Sequence, residues 1–130
     1  IFGLGCERMG HIYIDRGDSH QACESLKAAG EKIRNGASVV FFPEGTRSPD
    51  GKLLPFKKGG FVIAIESRVP ILPITGLGSR AILPKGSMAV RPGTIDLIIH
   101  PPIEVTGYTQ ENKEELMEKV RAVIQSKLVL

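Results

Sequence analysis

The chain contains no tryptophan, and only 5% of its 130 residues are aromatic. Proteins that bind single-stranded nucleic acid stack the bases on aromatic side chains placed along a basic groove. The sequence has no such pattern, and its formal net charge of +3 permits attraction to an anionic surface without requiring it. We therefore predict that nucleic acid is not a partner.

Cysteine and long apolar runs are also scarce. Cys6 and Cys23 are too few for a disulfide framework, and neither a C-x-x-C pair nor a histidine cluster accompanies them as zinc ligands. The longest apolar runs, such as residues 61–65, are far shorter than the roughly 20 residues that a membrane-spanning helix needs. We therefore predict no metal site and no membrane-spanning segment in these residues.

The overall composition is that of a folded globular protein. A hydrophobic share of 42% and a charged share of 24% are close to the averages for such proteins. The chain length suits one hydrophobic core. We predict a single domain over residues 1–130.

The first part of the sequence predicts a β-α-β unit. Residues 11–14 and 38–42 are short runs rich in β-branched and aromatic side chains, which indicates strands. Between them lies an amphipathic helix that is capped by Asp18 or Ser19 and ends at Gly36. A continuous apolar run such as 38–42 is typical of a strand covered on both faces of a parallel sheet. We therefore predict an α/β fold with a mostly parallel sheet flanked by helices.

The rest of the sequence continues the alternation of helices and strands. A long loop follows the second strand, because residues 43–58 are rich in glycine and proline and show little periodicity. In chain order, the elements predicted after it are a short buried helix over 59–68, a strand over 71–77, strand candidates over 94–99 and 103–105, and a helix over 110–128.

Arginines follow both strands of the predicted β-α-β unit at their carboxyl ends. Arg16 comes after the first strand and Arg47 after the second. Ligands of open α/β sheets bind where loops leave these strand ends, and a planar guanidinium matches phosphate. Gly45 lets the backbone approach an anion closely, and Lys57 or Lys58 adds positive charge. The sequence therefore predicts a phosphate site made by the two arginines and one of these lysines.

The common nucleotide-binding loops do not occur in the sequence. Five residues separate Gly45 from Gly51, where a P-loop has four, and Lys52 is followed by leucine instead of serine or threonine. Gly3 and Gly5 lack the third glycine of the dinucleotide fingerprint. These departures favour a smaller phosphorylated ligand over a nucleotide.

Four blocks of the sequence resemble the 1-acylglycerol-3-phosphate acyltransferases, the lysophosphatidate acyltransferase family. Residues 42–48, Phe-Pro-Glu-Gly-Thr-Arg-Ser, resemble the signature block of this family. Residues 10–16, Gly-His-Ile-Tyr-Ile-Asp-Arg, resemble the block that precedes it. Residues 55–59 resemble the basic stretch and residues 69–74 the proline-containing block that follow. The blocks stand in the family's order, and they cover the chain from 10 to 74.

The resemblance implies a reaction and a location. The reaction is acyl transfer from an acyl thioester, on coenzyme A or acyl carrier protein, to the free hydroxyl of 1-acylglycerol 3-phosphate in phospholipid synthesis. The implied partners are lysophosphatidate, the acyl donor and a membrane surface, and the implied location is the cytoplasmic face of a membrane. The acyl donor is a co-substrate, and the resemblance implies no separate cofactor.

The resemblance also implies roles for individual residues. Arg47 and Arg16 would bind the phosphate of the acceptor. Glu44 would bind a glycerol hydroxyl or orient an arginine, and Gly45 would permit the close approach. The implied substrate-binding set is completed by Thr46 and Lys57.

The family's catalytic block, His-x-x-x-x-Asp, is not found in these residues. Its histidine removes the proton of the acceptor hydroxyl and is oriented by the aspartate. His11 and His20 each have an acidic residue at the fourth following position instead of the fifth, and His100 is followed by two prolines. We therefore expect no catalytic residue in this chain, and we expect it to be the carboxyl-terminal portion of a longer catalytic domain. We also expect the 130-residue chain alone not to transfer acyl groups at an enzymatic rate.

Two alternatives to this function follow from the same residues. One is an acyltransferase with another acceptor, such as glycerol 3-phosphate or a different lysolipid, because the phosphate would be held in a similar way. The other is a non-catalytic phosphate-binding module of the α/β type, which the missing histidine and aspartate favour.

Overall fold

The structure of the chain is a computed structural model that describes residues 19–128. The chain divides into two compact units, Ile1–Phe41 and Phe42–Leu130. The prediction of a single domain over 1–130 stays a prediction.

In the first unit the structure describes one helix, α1, over Ser19–Arg34. It confirms the amphipathic helix that the sequence predicts. Lys32 and Arg34 lie in its last turn, where positive charge stabilises the carboxyl end of the helix dipole. Gly36 ends the helix with a φ of +89°, a conformation that glycine adopts without steric cost.

The strand predicted over 38–42 is wrong. Residues 38–42 belong to no strand, and the side chains of Val40 and Phe42 are 79% and 81% exposed. The apolar, β-branched composition of this run indicates a tendency to be buried, but a strand also needs a neighbour that satisfies its backbone groups. The neighbour predicted for it, a strand over 11–14, lies outside the described residues.

The second unit contains three helices and two strands. Their bounds are Gly59–Ser67 for α2, Ile74–Leu77 for β1, Ser79–Ile82 for α3, Asp96–Ile99 for β2 and Lys113–Gln125 for α4. The short helix over 59–68 and the last helix are confirmed, with the last helix shorter than the predicted 110–128. The one-turn helix α3 was not predicted, because four residues are too few to show a helical period.

The sheet of the described residues is antiparallel, so the predicted mostly parallel sheet is wrong for this part of the chain. β1 pairs with β2, and Ile74 lies opposite Ile99. Strand direction depends on which strands meet and on how they are connected, and the apolar character of a run does not encode it. The α/β class itself is confirmed.

Prolines interrupt the pairing at one end of the sheet, and Pro73 explains why β1 begins later than the predicted residue 71. Proline has no N–H to donate to a sheet, and Pro73 stands before β1 while Pro101 and Pro102 stand after β2. Beyond the prolines the pairing resumes as a single antiparallel bridge between Ile71 and Ile103, whose N–H and C=O groups bond reciprocally at 2.9 and 2.7 Å. The candidate strand over 103–105 is therefore reduced to this bridge.

The hydrophobic core of the second unit lies between α2, α4 and the bridge. Leu116 of α4 is fully buried, and Val120 lies one turn further along the same face. The buried residues of this core are Phe61, Ala64, Ile103, Val105, Leu116 and Val120.

Two polar side chains are buried beside this core. Thr75 is 1% exposed and His100 is 8% exposed, and the Thr75 Oγ1 lies 2.8 Å from the His100 Nε2. The Thr75 hydroxyl donates to the carbonyl of Ile124 at 3.1 Å, so the neutral histidine must carry its proton on Nε2. This chain of hydrogen bonds joins β1, the end of β2 and α4.

Candidate functional site

The loop over residues 43–58, here called the anion loop, is closed at its base by backbone hydrogen bonds. The Gly45 N–H donates to the carbonyl of Phe42 at 3.0 Å, and the Lys57 N–H donates to the carbonyl of Pro43 at 2.7 Å. Gly45 has a φ of +68°, in the left-handed region that favours glycine. The sequence Pro-Glu-Gly-Thr-Arg therefore begins in a tight turn, and the turn fixes where Glu44 and Arg47 leave the backbone.

Glu44 is half-buried inside the anion loop. Its Oε2 accepts a hydrogen bond from the Leu54 N–H at 2.7 Å, across ten residues of sequence. This contact gives the carboxylate a structural partner that the sequence did not predict. A carboxylate accepts at both oxygens, so the contact leaves Glu44 able to accept from a substrate hydroxyl as well.

Arg47 is exposed, and its guanidinium lies against the segment that follows α3. The Nη1 donates to the carbonyls of Leu83 and Pro84, each at 3.3 Å. Both hydrogen bonds are long, and within residues 19–128 the remaining donors of the fork have no hydrogen-bond partner. A phosphate would form shorter, charge-assisted bonds with the same group.

The tip of the anion loop is an ordered polar turn. The Asp50 Oδ1 accepts from the Lys52 N–H and from the Ser48 hydroxyl, both at 3.0 Å, and these two hydrogen bonds lower the pKa of the Asp50 carboxyl. Arg80 of α3 donates to the carbonyls of Pro49 and Asp50 at 2.9 and 3.1 Å. The tip is thus anchored to α3.

A second arginine that the sequence did not predict holds the other side of the loop. Arg121 of α4 donates to the carbonyl of Leu53 at 2.9 Å and to that of Leu54 at 2.6 Å. No local signal identifies Arg80 or Arg121, because each is separated from its partners by 30 residues or more. Both are visible only once the chain is folded.

The structure places four of the six predicted site residues in one turn. Glu44, Gly45, Thr46 and Arg47 share the turn at the start of the loop. Lys57 is exposed, and only its backbone is shown to meet that turn. Arg16 lies outside the described residues. The shared phosphate site of Arg16 and Arg47 therefore stays a prediction.

The histidines of the described residues do not suggest a base at the anion loop. His100 is buried and bonded to Thr75, so an acceptor hydroxyl in solvent does not reach it. His20 belongs to the first unit, where its Nδ1 lies 3.8 Å from Glu24. His11 lies outside the described residues. Over residues 19–128 we also find no cluster of histidine, cysteine or acidic side chains that could hold a metal ion.

A comparison with protein families matches residues 1–76 of the chain to the Acyltransferase family. The matched residues contain the turn with Glu44 and Arg47 as well as Arg16.

The curated relatives of the chain are named as 1-acyl-sn-glycerol-3-phosphate acyltransferases. The chain is 45% identical over 104 residues to the chloroplastic 1-acyl-sn-glycerol-3-phosphate acyltransferase BAT2 of Brassica napus, and the match covers 79% of this chain and 30% of that protein. It is 32% identical over 120 residues to the human 1-acyl-sn-glycerol-3-phosphate acyltransferase alpha, and this match covers 92% of the chain and 42% of that protein. The chain thus spans less than half the length of these relatives.

A solved structure shows the same fold. The crystal structure of the 1-acyl-sn-glycerophosphate acyltransferase of Thermotoga maritima superposes with a TM-score of 0.75 at 42% identity, over 83% of this chain and 44% of that one.

Over the described residues, no helix is both long enough and apolar enough to cross a bilayer.

Proposed function

Because the chain belongs to the Acyltransferase family, we propose that it takes part in acyl transfer to the free hydroxyl of 1-acylglycerol 3-phosphate. The relatives carry this acceptor in their names. The observation that carries the proposal is the turn at Gly45, which holds the half-buried Glu44 and the exposed Arg47 within four residues of each other in the segment that the family shares.

In the proposed reaction Arg47 binds the phosphate of the acceptor. The hydroxyl of the acceptor attacks the thioester carbonyl of the acyl donor, a C–O bond forms, and the C–S bond breaks. The proton of the hydroxyl passes to a base and from there to the departing thiolate, so that the products are a diacylglycerol phosphate and a free thiol. Arg16 shares the phosphate with Arg47, Glu44 accepts from a glycerol hydroxyl, and Thr46 and Lys57 complete the binding surface.

We further propose that the protein works at the cytoplasmic face of an anionic membrane. Residues 67–95 contain four basic residues and no acidic one. Within this stretch Met88 is 97% exposed and Val90 is 71% exposed, between the cations Lys85 and Arg91. Apolar tips flanked by cations suit the interface of an anionic bilayer, where the substrate and product of this reaction dissolve.

The function is tested by assaying the natural protein that contains this sequence with a series of acceptors. The acceptors are 1-acylglycerol 3-phosphate, glycerol 3-phosphate, a lysophosphatidylcholine and 1-acylglycerol, each with acyl-coenzyme A and with acyl carrier protein as donor. We expect the first acceptor to give the highest kcat/KM with one of the donors, measured by mass spectrometry of the product. A preference for glycerol 3-phosphate would show that the proposed acceptor is wrong. Absence of transfer to any acceptor would contradict the proposed acyltransferase activity.

A further inference from the structure

The guanidinium of Arg121 is held firmly against the anion loop. Its two terminal nitrogens donate to successive carbonyls, Leu53 and Leu54, at 2.9 and 2.6 Å. Its central carbon lies 5.5 Å from the centre of the Phe56 ring, within the range of a cation–π contact. Three contacts within four residues of the loop therefore fix one half-buried side chain of α4.

The contacts of Arg121 lead directly to Glu44. The carbonyl of Leu53 and the N–H of Leu54 belong to the same peptide unit. Arg121 donates to the Leu53 carbonyl of that unit. The Leu54 N–H of the same unit donates to the Glu44 Oε2 at 2.7 Å. A cation at the oxygen and a carboxylate at the hydrogen polarise the peptide in the same direction, so each of the two bonds strengthens the other.

We propose that Arg121 is a positioning residue for acceptor binding, because it holds the peptide that orients Glu44 in the turn leading to Arg47. The proposal rests on the proposed function, since it assigns Arg121 to the same substrate site. It also gives α4 a role beyond packing, as this helix lies outside the blocks that carry the family resemblance. Arg121 itself touches backbone and the Phe56 ring, so it acts through Glu44 and not on the substrate.

The natural protein with Arg121→Met tests this role. Methionine keeps the apolar stem of the side chain but removes the cation and both hydrogen bonds. We expect the KM for 1-acylglycerol 3-phosphate to rise roughly 10-fold, the scale of one charge-assisted hydrogen bond, while the KM for the acyl donor stays unchanged. The KM of Arg121→Lys for this acceptor should lie between those of the original protein and of Arg121→Met, because an ammonium keeps the charge but not the planar fork that reaches two carbonyls.

Lys119→Met is the matched control. Lys119 lies on the same helix, and its ammonium is 6.0 Å from the centre of the Tyr108 ring, so it too is a cation next to an aromatic side chain. It makes no contact with the anion loop among the interactions of the described residues. We expect its substitution to leave the KM for the acceptor unchanged.

A double-substitution cycle with Glu44→Gln separates positioning from a general loss of structure. If Arg121 acts through Glu44, the double variant should lose little more than the more damaging single variant. Additive losses, or a KM for the acceptor that stays at its original value in both Arg121 variants, would overturn the positioning role while leaving the acyl transfer intact. If Arg121→Met does not fold, the KM of Arg121→Lys for the acceptor is the test: a raised value supports the positioning role and an unchanged value overturns it. Absence of acyl transfer by the unmodified protein would overturn the proposed function, and the role of Arg121 in acceptor binding with it.

Discussion

At the scale of single residues, the anion loop is held mainly by arginines that donate to backbone carbonyls. Arg47, Arg80 and Arg121 each reach two carbonyls that are distant in sequence. The bonds of Arg80 and Arg121 are short, from 2.6 to 3.1 Å, whereas those of Arg47 are both 3.3 Å. Arg80 and Arg121 thus shape the loop, and the two long bonds of Arg47 to carbonyls are the ones in this set that the proposed phosphate would replace most readily.

Thr75 offers a residue-scale prediction about the interior. Thr75→Val keeps the shape of the side chain but leaves the buried His100 Nε2 without its partner, whereas the Ile124 carbonyl keeps the N–H of Lys127. We expect the free energy of unfolding to fall by about 1–3 kcal/mol, the cost of unsatisfied buried polar groups. Reversible urea denaturation measures this change.

Thr75→Ser is the control, because it removes a methyl group and keeps the hydroxyl. It should cost only about 0.8 kcal/mol, the value of one buried methyl or methylene group. A valine variant as stable as the original protein would mean that the buried hydrogen bonds contribute nothing.

At the scale of elements, α2 ends at a residue with an unfavourable backbone. Arg68 follows the helix with a φ of +54° and a ψ of +40°, and its N–H caps the last turn by bonding to the Ile65 carbonyl at 3.2 Å. It is the one residue other than glycine with a positive φ in the described part of the chain. Glycine is the usual residue at this position of a helix end.

We therefore expect Arg68→Gly to stabilise the protein by about 0.5–1 kcal/mol. Removing the Cβ relieves a left-handed strain of about 1–2 kcal/mol, and the greater freedom of glycine in the unfolded chain offsets part of the gain. Arg68→Ala separates this effect from the loss of the exposed charge, because alanine keeps the Cβ. A glycine variant that unfolds at the same urea concentration as the alanine variant, or at a lower one, would contradict the expectation.

The elements also show which features a sequence reveals. Helices α1 and α4 could be predicted because their apolar side chains recur within a few residues and each helix satisfies its own backbone. The strand predicted over 38–42 is wrong because a strand depends on a distant partner. The loop over 43–58 could be predicted because its glycines and prolines are local signals. The contact between Arg121 and Leu54 could not, because 67 residues separate them.

At the scale of the whole molecule, the exposed apolar side chains of Met88 and Val90 are proposed to contact lipid. If Met88 and Val90 enter an anionic bilayer, the variant with both residues changed to serine should bind vesicles containing phosphatidylglycerol roughly 10-fold more weakly, because two apolar side chains no longer leave water. Sedimentation of the 130-residue chain with vesicles measures this.

Ala122→Ser, an exposed change on α4, is the control and should bind as the original chain does. Binding should also weaken with added salt, since Lys85 and Arg91 contribute through their charge. Equal binding of the double variant and the original chain would remove Met88 and Val90 from the lipid-facing surface.

The proposed function depends above all on Arg47, which we propose holds the phosphate of the acyl acceptor. The most direct measurement compares kcat/KM for 1-acylglycerol 3-phosphate and for 1-acylglycerol in the natural protein and in its Arg47→Ala variant. Arg34→Ala, which removes an exposed arginine of α1, is the control. We predict that Arg47→Ala lowers transition-state stabilisation by about 1.5–3 kcal/mol for the phosphorylated acceptor and leaves the value for 1-acylglycerol unchanged, because only the first loses a hydrogen bond to a charged group. Equal losses for both acceptors would contradict the claim.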